Sequence, residues 1–276
     1  MPLPEDFENC VAGLLEITED IEGYLAEREV RFMTLLAACP TGRGEILEIG
    51  SFKGKSTIVL AKGASLTKEA TVVAVDPLIP KSTIDPSPEG DDPWFRDFQS
   101  NLRNAGVEKQ VEFHRMSSAE LAETWNRDIK LLWIDGDHTY AAVKSDLEMF
   151  RPFLSDGAIV AMHDVLNVFE GPIRVFTEDV LLSSNFGPAG LCGSIGWSQY
   201  LKDPESTSKF RRQKARLYRK LNTLIPYSAL GKGAGRVPRI WHKILRSRVP
   251  HSDVEPVRWL SSVTPEDSQE RQGSTP

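Results

Sequence analysis

Asp135, in LLWIDGDH, and the adjacent pair His163 and Asp164, in GAIVAMHDV, each sit at or just beyond the end of a short apolar run. Upstream, the run EILEI ends at Gly50 in the stretch EIGSFKGKST, and TVVAV ends at Asp76. Carboxylates and imidazoles move protons or hold cations, and a glycine turn lets backbone amides approach a ligand. Apolar runs that each end in such residues look like parallel strands delivering a site to one sheet edge. In open α/β sheets, ligands bind outside the carboxyl ends of the strands, where the winding reverses.

The elements that must position these residues follow from periodicity. Residues 5–39 read as helices, with Val30, Met33, Leu36 and Ala37 on one side until Pro40 and Gly42 stop the pattern. Strand-like and helix-like segments then alternate: strands at 45–49, 71–75, 111–114, LLWI and GAIVAM, and helices at about 55–66, 94–106, after Ser117 or Ser118, 139–150 and 171–183. FGPAGLCGSIGWSQYL suggests a closing antiparallel pair around Gly193–Gly196. This alternation implies an α/β fold with a doubly wound, mostly parallel sheet. The Pro/Gly/Asp-rich loop at 77–93 has the length of a lid.

The glycine loop GSFKGKS fails two phosphate-binding patterns. A P-loop needs four residues between its glycines, and only three separate Gly50 from Gly54. A dinucleotide fingerprint needs glycine where Phe52 stands, so that the backbone can approach a pyrophosphate. The stretch E-I-G-S-F-K-G, with Glu48 two residues before Gly50, resembles motif I of class I S-adenosylmethionine (SAM)-dependent methyltransferases. IDGDH-x-Y followed by GAIVAMHDV is similar to a subgroup of small-molecule and sugar O-methyltransferases in that class. The resemblance covers roughly residues 27–201 and implies a seven-stranded Rossmann-like methyltransferase fold.

The resemblance implies that Glu48, Gly50, Ser51, Gly54 and Asp76 hold SAM, with Asp76 accepting from the ribose hydroxyls and Ser117 and Ser118 near the adenine. It implies acidic metal ligands at Asp135 and Asp164. Adjacent strand tips about 4.8 Å apart put these two in one cleft, with His163 as a third ligand. Carboxylates suit Mg²⁺, and an imidazole shifts the choice toward Mn²⁺ or another transition metal. The metal-dependent relatives usually carry an acid where His163 stands. His138, three residues past Asp135, matches a candidate general base for removing a hydroxyl proton; Asp137 either orients it or joins the metal. The expected activity is O-methylation of a small hydroxylated acceptor, a sugar or glycosylated metabolite. The alternatives are an NAD(P)-dependent oxidoreductase and a non-catalytic SAM-binding scaffold.

The net charge of −6 is unevenly spread: residues 201–250 hold 14 Lys/Arg against 2 Asp/Glu. The expected division is a methyltransferase domain over 1–203, with its helical segment at 1–43, a basic helical extension over 204–249, and a flexible tail over 250–276. The basic segment reads first as solvated or docked on a partner subunit, in a homo-oligomer, then as a membrane-surface element. Nucleic acid ranks last, because the body is acidic and carries no nucleic-acid module motif. Three scattered cysteines, an acidic N-terminus without signal-peptide layout and no bilayer-length apolar run point to the cytoplasm.

Overall fold

The computed structural model describes residues 2–67, 71–78, 92–228 and 235–264. Two helices, α1 (Phe7–Glu19) and α2 (Glu27–Ala38), precede the first strand, β1 (Glu45–Ile49). Then follow α3 (Lys55–Ser65), β2 (Val72–Val75), α4 (Pro93–Asn104), β3 (Val111–His114), α5 (Ser118–Thr124), β4 (Ile129–Ile134), α6 (Tyr140–Phe150) and β5 (Leu154–Met162). After α7 (Glu170–Val175), the hairpin of β6 (Phe186–Cys192) and β7 (Ile195–Tyr200) closes the sheet.

The strand order is β3-β2-β1-β4-β5-β7-β6. β1 to β5 are parallel, and β7 runs antiparallel between β5 and β6. The winding therefore reverses between β1 and β4, the crevice where such sheets bind ligands. VVAV and IKLLWI are buried throughout, as strands covered by helices on both faces must be. α2 and α3 pack on one face with Phe32, Met33, Ile58 and Leu60, and α6 and α7 pack on the other with Leu147, Phe150 and Ile173. Gly106, at φ +67, follows α4 in the left-handed conformation that ends a helix.

Two expectations change. The helix expected at 171–183 is α7 continued by a π-helical turn over Phe176–Leu181. The tail expected to be flexible from residue 250 instead forms α11 (Pro256–Val263). Glu255 caps its start through the Val257 and Arg258 amides. Trp259 and Leu260 are buried there, with Trp259 edge-on to Phe32 and 5.8 Å from Trp197. Its apolar residues are too few to show a helical period, and the cavity that receives them is made by distant segments. The part of the tail beyond 264 lies outside the described residues, as does most of the 77–93 loop.

The basic segment forms α8 (Arg211–Asn222), α9 (Ile225–Ser228) and α10 (Arg236–Ser247). Leu217, Leu221 and Leu224 are buried in the same core as β5 and β6, and the Lys214 ammonium donates to the Ser183 and Phe186 carbonyls. The extension is thus packed on its own domain. Among the described residues, no helix is long and apolar enough to cross a membrane.

Candidate active site

The polar residues at the strand tips meet because the sheet ladder runs one residue past the strands. The Gly50 amide donates to Val75, the Asp135 amide to Ile49 and the His163 amide to Ile134. Gly50 has φ +87, and a Cβ there would collide with the Asp135 carbonyl, so glycine is what lets the two tips lie side by side. Above them lies a cavity of about 700 Å³, within the range of small-molecule and cofactor sites.

Gly50, Ser51, Asp76, Ser117, Ser118, Asp135, His138, His163 and Asp164 all line this cavity. One Asp76 oxygen accepts the Ser51 and Phe52 amides, each at 2.9 Å, and the other accepts the Leu78 amide at 2.7 Å. The carboxylate therefore fixes the glycine loop and keeps further lone pairs for a ligand. Ser117 caps α5 in a reciprocal box with Glu120, and the Ser118 hydroxyl donates to Asp146 at 2.6 Å. Burial pushes the Asp146 carboxyl up to about 6 despite that bond, with the Asp137 charge adding to the shift.

Glu48 and Gly54 do not line the cavity. Glu48 is fully buried behind the loop, accepting the Ser51 hydroxyl at 3.0 Å and the Thr57 hydroxyl at 2.5 Å. Its burial outweighs these bonds and pushes the carboxyl up to about 7. Gly54, at φ +84, begins α3, and a Cβ there would lie 2.6 Å from Leu102 of α4. Both residues shape the loop from behind.

The ligand set also departs from expectation. Asp135, His138 and Asp164 bring three ligand atoms within 4.8 Å of one another. His138 Nε2 lies 2.9 Å from Asp164 Oδ2 and 3.8 Å from Asp135 Oδ1. His163 is not in this trio. Its ring is 4% exposed, with Nδ1 3.3 Å from Asp135 and Nε2 3.6 Å from Glu29 of α2. Burial opposes its charge, but Asp135, Glu29 and Asp164 outweigh burial and hold the imidazole protonated well above its ordinary range. His138 stands in the place expected of His163, because the turn after Asp135 folds back over the cavity.

Burial likewise opposes the charge on Glu29, yet hydrogen bonds from His163, Ala26 and Ser194 bring its carboxyl down to about 2. Burial raises the Asp135 carboxyl above its usual range, whereas His138 and His163 more than offset burial at Asp164 and lower it. Asp164 has φ +61, rare for a residue with a side chain, and Asn167 donates to its carboxylate. Phe169 lies against the His138 ring with centroids 4.3 Å apart. Asp137 lies outside the trio; it is exposed and accepts the Thr139 amide.

Sequence reasoning missed Glu29, Asn167, Phe169 and Asp146. Glu29 carries a faint signal, being three residues after Ala26, the residue before α2, where an acid reaches back to that residue's amide. The others carry none, since their roles depend on contacts between distant segments. Trp94, edge-on to Phe52 at 5.1 Å, lines the cavity, while Phe95 stacks on Phe113.

Residues 47–165 match the family model described as a methyltransferase domain. Solved structures share the fold at low identity. The O-methyltransferase from Bacillus cereus, in complex with SAH, is 18% identical with a TM-score of 0.52, covering 70% of this chain and 91% of that one. Cofactor-bound Rv0187 from MTB is 19% identical with a TM-score of 0.51, covering 73% and 98%. TomG from Streptomyces achromogenes, an O-methyltransferase of tomaymycin synthesis in complex with SAM, is 18% identical with a TM-score of 0.51, covering 71% and 90%. The sheet order and these likenesses show a Rossmann-like fold shared with solved O-methyltransferases, and the family match spans the segment from β1 to just past β5.

Proposed function

We propose that this protein is a SAM-dependent O-methyltransferase that acts on a hydroxyl of a small molecule in the cytoplasm, with a sugar or glycosylated metabolite as the acceptor class. The observation that carries this reading is a single cavity lined by both the glycine loop with Asp76 and the trio Asp135, His138 and Asp164. The lining is acidic, with Glu22, Asp76, Asp135, Asp137, Asp146 and Asp164 against Lys55 and His163. Such a wall suits a sulfonium cation and opposes the pyrophosphate of a nicotinamide dinucleotide. Phe52, at φ +45, also occupies the turn where a dinucleotide would need bare backbone.

Bound SAM supplies an electrophilic methyl group. The residues of this chain must then orient a hydroxyl and remove its proton. His138 Nε2 has no hydrogen-bond partner among the described residues, although it lies 2.9 Å from Asp164 Oδ2. It is the atom that takes the proton. Asp164 and Asp135 stabilise the imidazolium that results, and Phe169 fixes the plane of the ring. Glu29 keeps His163 charged beneath the two carboxylates, which holds Asp135 and Asp164 together at the cavity floor.

The same trio supports a second reading. The 2.9 Å separation matches neighbouring ligands of one octahedral cation, about 3 Å apart when each bond is about 2.1 Å, and the 3.8 Å separation is wider than that. Asp135, His138 and Asp164 would hold Mg²⁺ or Mn²⁺, which lowers the pKa of an acceptor hydroxyl.

The test is turnover with methyl-labelled SAM over a panel of sugars, glycosides and phenols, read as one labelled methyl on oxygen. Wild-type turnover that His138→Ala removes, with SAM binding intact, supports the reading. SAM binding without turnover on any acceptor points to a non-catalytic scaffold. Activity that survives exhaustive chelation rejects the cation.

A further inference from the structure

Methyl transfer makes no use of α10. At about 100° per residue, Val237, Ile240, Trp241 and Ile244 form one stripe along this helix. They are 64%, 51%, 48% and 39% exposed, a run of large apolar groups that a water-facing helix does not normally present. His242, which is buried, and Leu245, which is half-buried against the core, lie on the side that faces the body. Arg236, Arg239, Lys243 and Arg246 occupy the remaining sector, on the other side of the apolar stripe. The helix thus has three faces: one docked, one apolar and outward, one cationic.

The surrounding charge decides among occupants. Residues 206–252 contain 13 Lys/Arg and no Asp or Glu. On α8, Arg211, Arg212, Arg216 and Arg219 are exposed as well. In a two-fold dimer through this face, α10 would meet its own copy and bring like charges together. A phosphate backbone would meet the cations, but it has nothing to offer two isoleucines, a valine and a tryptophan. An anionic bilayer satisfies both sectors, taking the apolar stripe into the acyl boundary and the cations at the headgroups.

We propose that α10 is an interfacial helix that seats this protein on an anionic phospholipid surface. The helix is braced near the site-bearing segment: α10 packs on α9, whose Ser228 hydroxyl donates to the Asn167 carbonyl, and the Asn167 side chain donates to Asp164. A surface-bound α10 therefore holds the active-site cavity one short segment from the headgroups.

The test is co-sedimentation of the full chain with vesicles of phosphatidylcholine, alone or with one third phosphatidylglycerol. Binding needs no SAM and no turnover, so it stands or falls apart from the enzymatic reading. The expected result is binding to the anionic vesicles, at least tenfold weaker to phosphatidylcholine alone and weakened by salt. Ile240→Asp with Trp241→Ser, and separately Arg236→Glu with Lys243→Glu, should each lower binding at least tenfold while circular dichroism is unchanged. These positions are exposed, so the fold does not depend on them. Equal binding to both vesicles, no binding to either, or full binding by both variants would overturn the assignment. So would a dimer by light scattering, or an oligonucleotide complex, that these variants abolish when vesicles bind nothing.

Discussion

Replacing Glu48 by glutamine removes a carboxyl that the fold has to keep neutral. Glu48 sits on β1 with no exposed surface, surrounded by the hydroxyls of Ser51 and Thr57, and its carboxyl is pushed up to about 7 from the ordinary 4.5. The acid is raised on folding, so its favourable contribution is complete below the unfolded value and is lost as pH rises through the folded one. For those two values, linkage gives a loss of about 1 kcal/mol at pH 5 and about 3 kcal/mol at pH 8. Glutamine does not titrate, and its carbonyl can still accept from both hydroxyls. Urea unfolding of wild type and Glu48→Gln at the two pH values isolates this group from every other titration. The variant should gain roughly 2 to 3 kcal/mol on wild type between pH 5 and pH 8, whatever its offset at pH 5. Parallel pH profiles would refute the reasoning, since they would mean that Glu48 is already ionised or hydrated in the folded protein.

His138→Ala should lower methyl transfer by about 10² to 10⁴-fold with the SAM dissociation constant changed less than threefold, measured by steady-state turnover and calorimetry. Glu29→Gln should destabilise by roughly 3 kcal/mol, because it leaves the buried His163 charge without one of its partners. Glu29 is held down at about 2, so its contribution is complete above pH 4.5 and lost as pH falls through about 2, and acid unfolding of the variant should lack that component. Gly50→Ala should cost roughly 2 kcal/mol or more in chemical denaturation and abolish SAM binding, because its Cβ would push the Asp135 tip away.

The sheet was legible because VVAV, LLWI and AIVAM are uniform apolar runs, and each stops at a residue that only a strand tip explains. Gly50, Asp76 and Asp135 line one cavity, since their positions follow from where a strand must end. The assignment of His163 went differently. Sequence shows that His163 and Asp164 are adjacent, but it does not show the left-handed backbone at Asp164, where the carboxylate meets His138 while the His163 ring lies between Asp135 and Glu29. Glu48 read as a cavity residue for the same reason. It was placed by its distance from Gly50, and the turn of the loop put it behind the backbone rather than in front. Glu29 was out of reach because its partner lies 134 positions away on β5's tip, and an acid in EREVRF reads as solvated. Helix α11 was lost because a Trp-Leu-Val cluster in a short stretch has meaning only against Phe32 and Trp197.

The most direct measurement is calorimetric titration of SAM into the full-length protein, with NADH and NADPH titrated in parallel. If the cavity over Gly50 and Asp76 is a methyl-donor site, SAM binds one per chain, is displaced by its demethylated product, and both nicotinamide cofactors give no heat. Absence of SAM binding by correctly folded protein, or tight binding of NADH or NADPH in its place, would contradict the assignment.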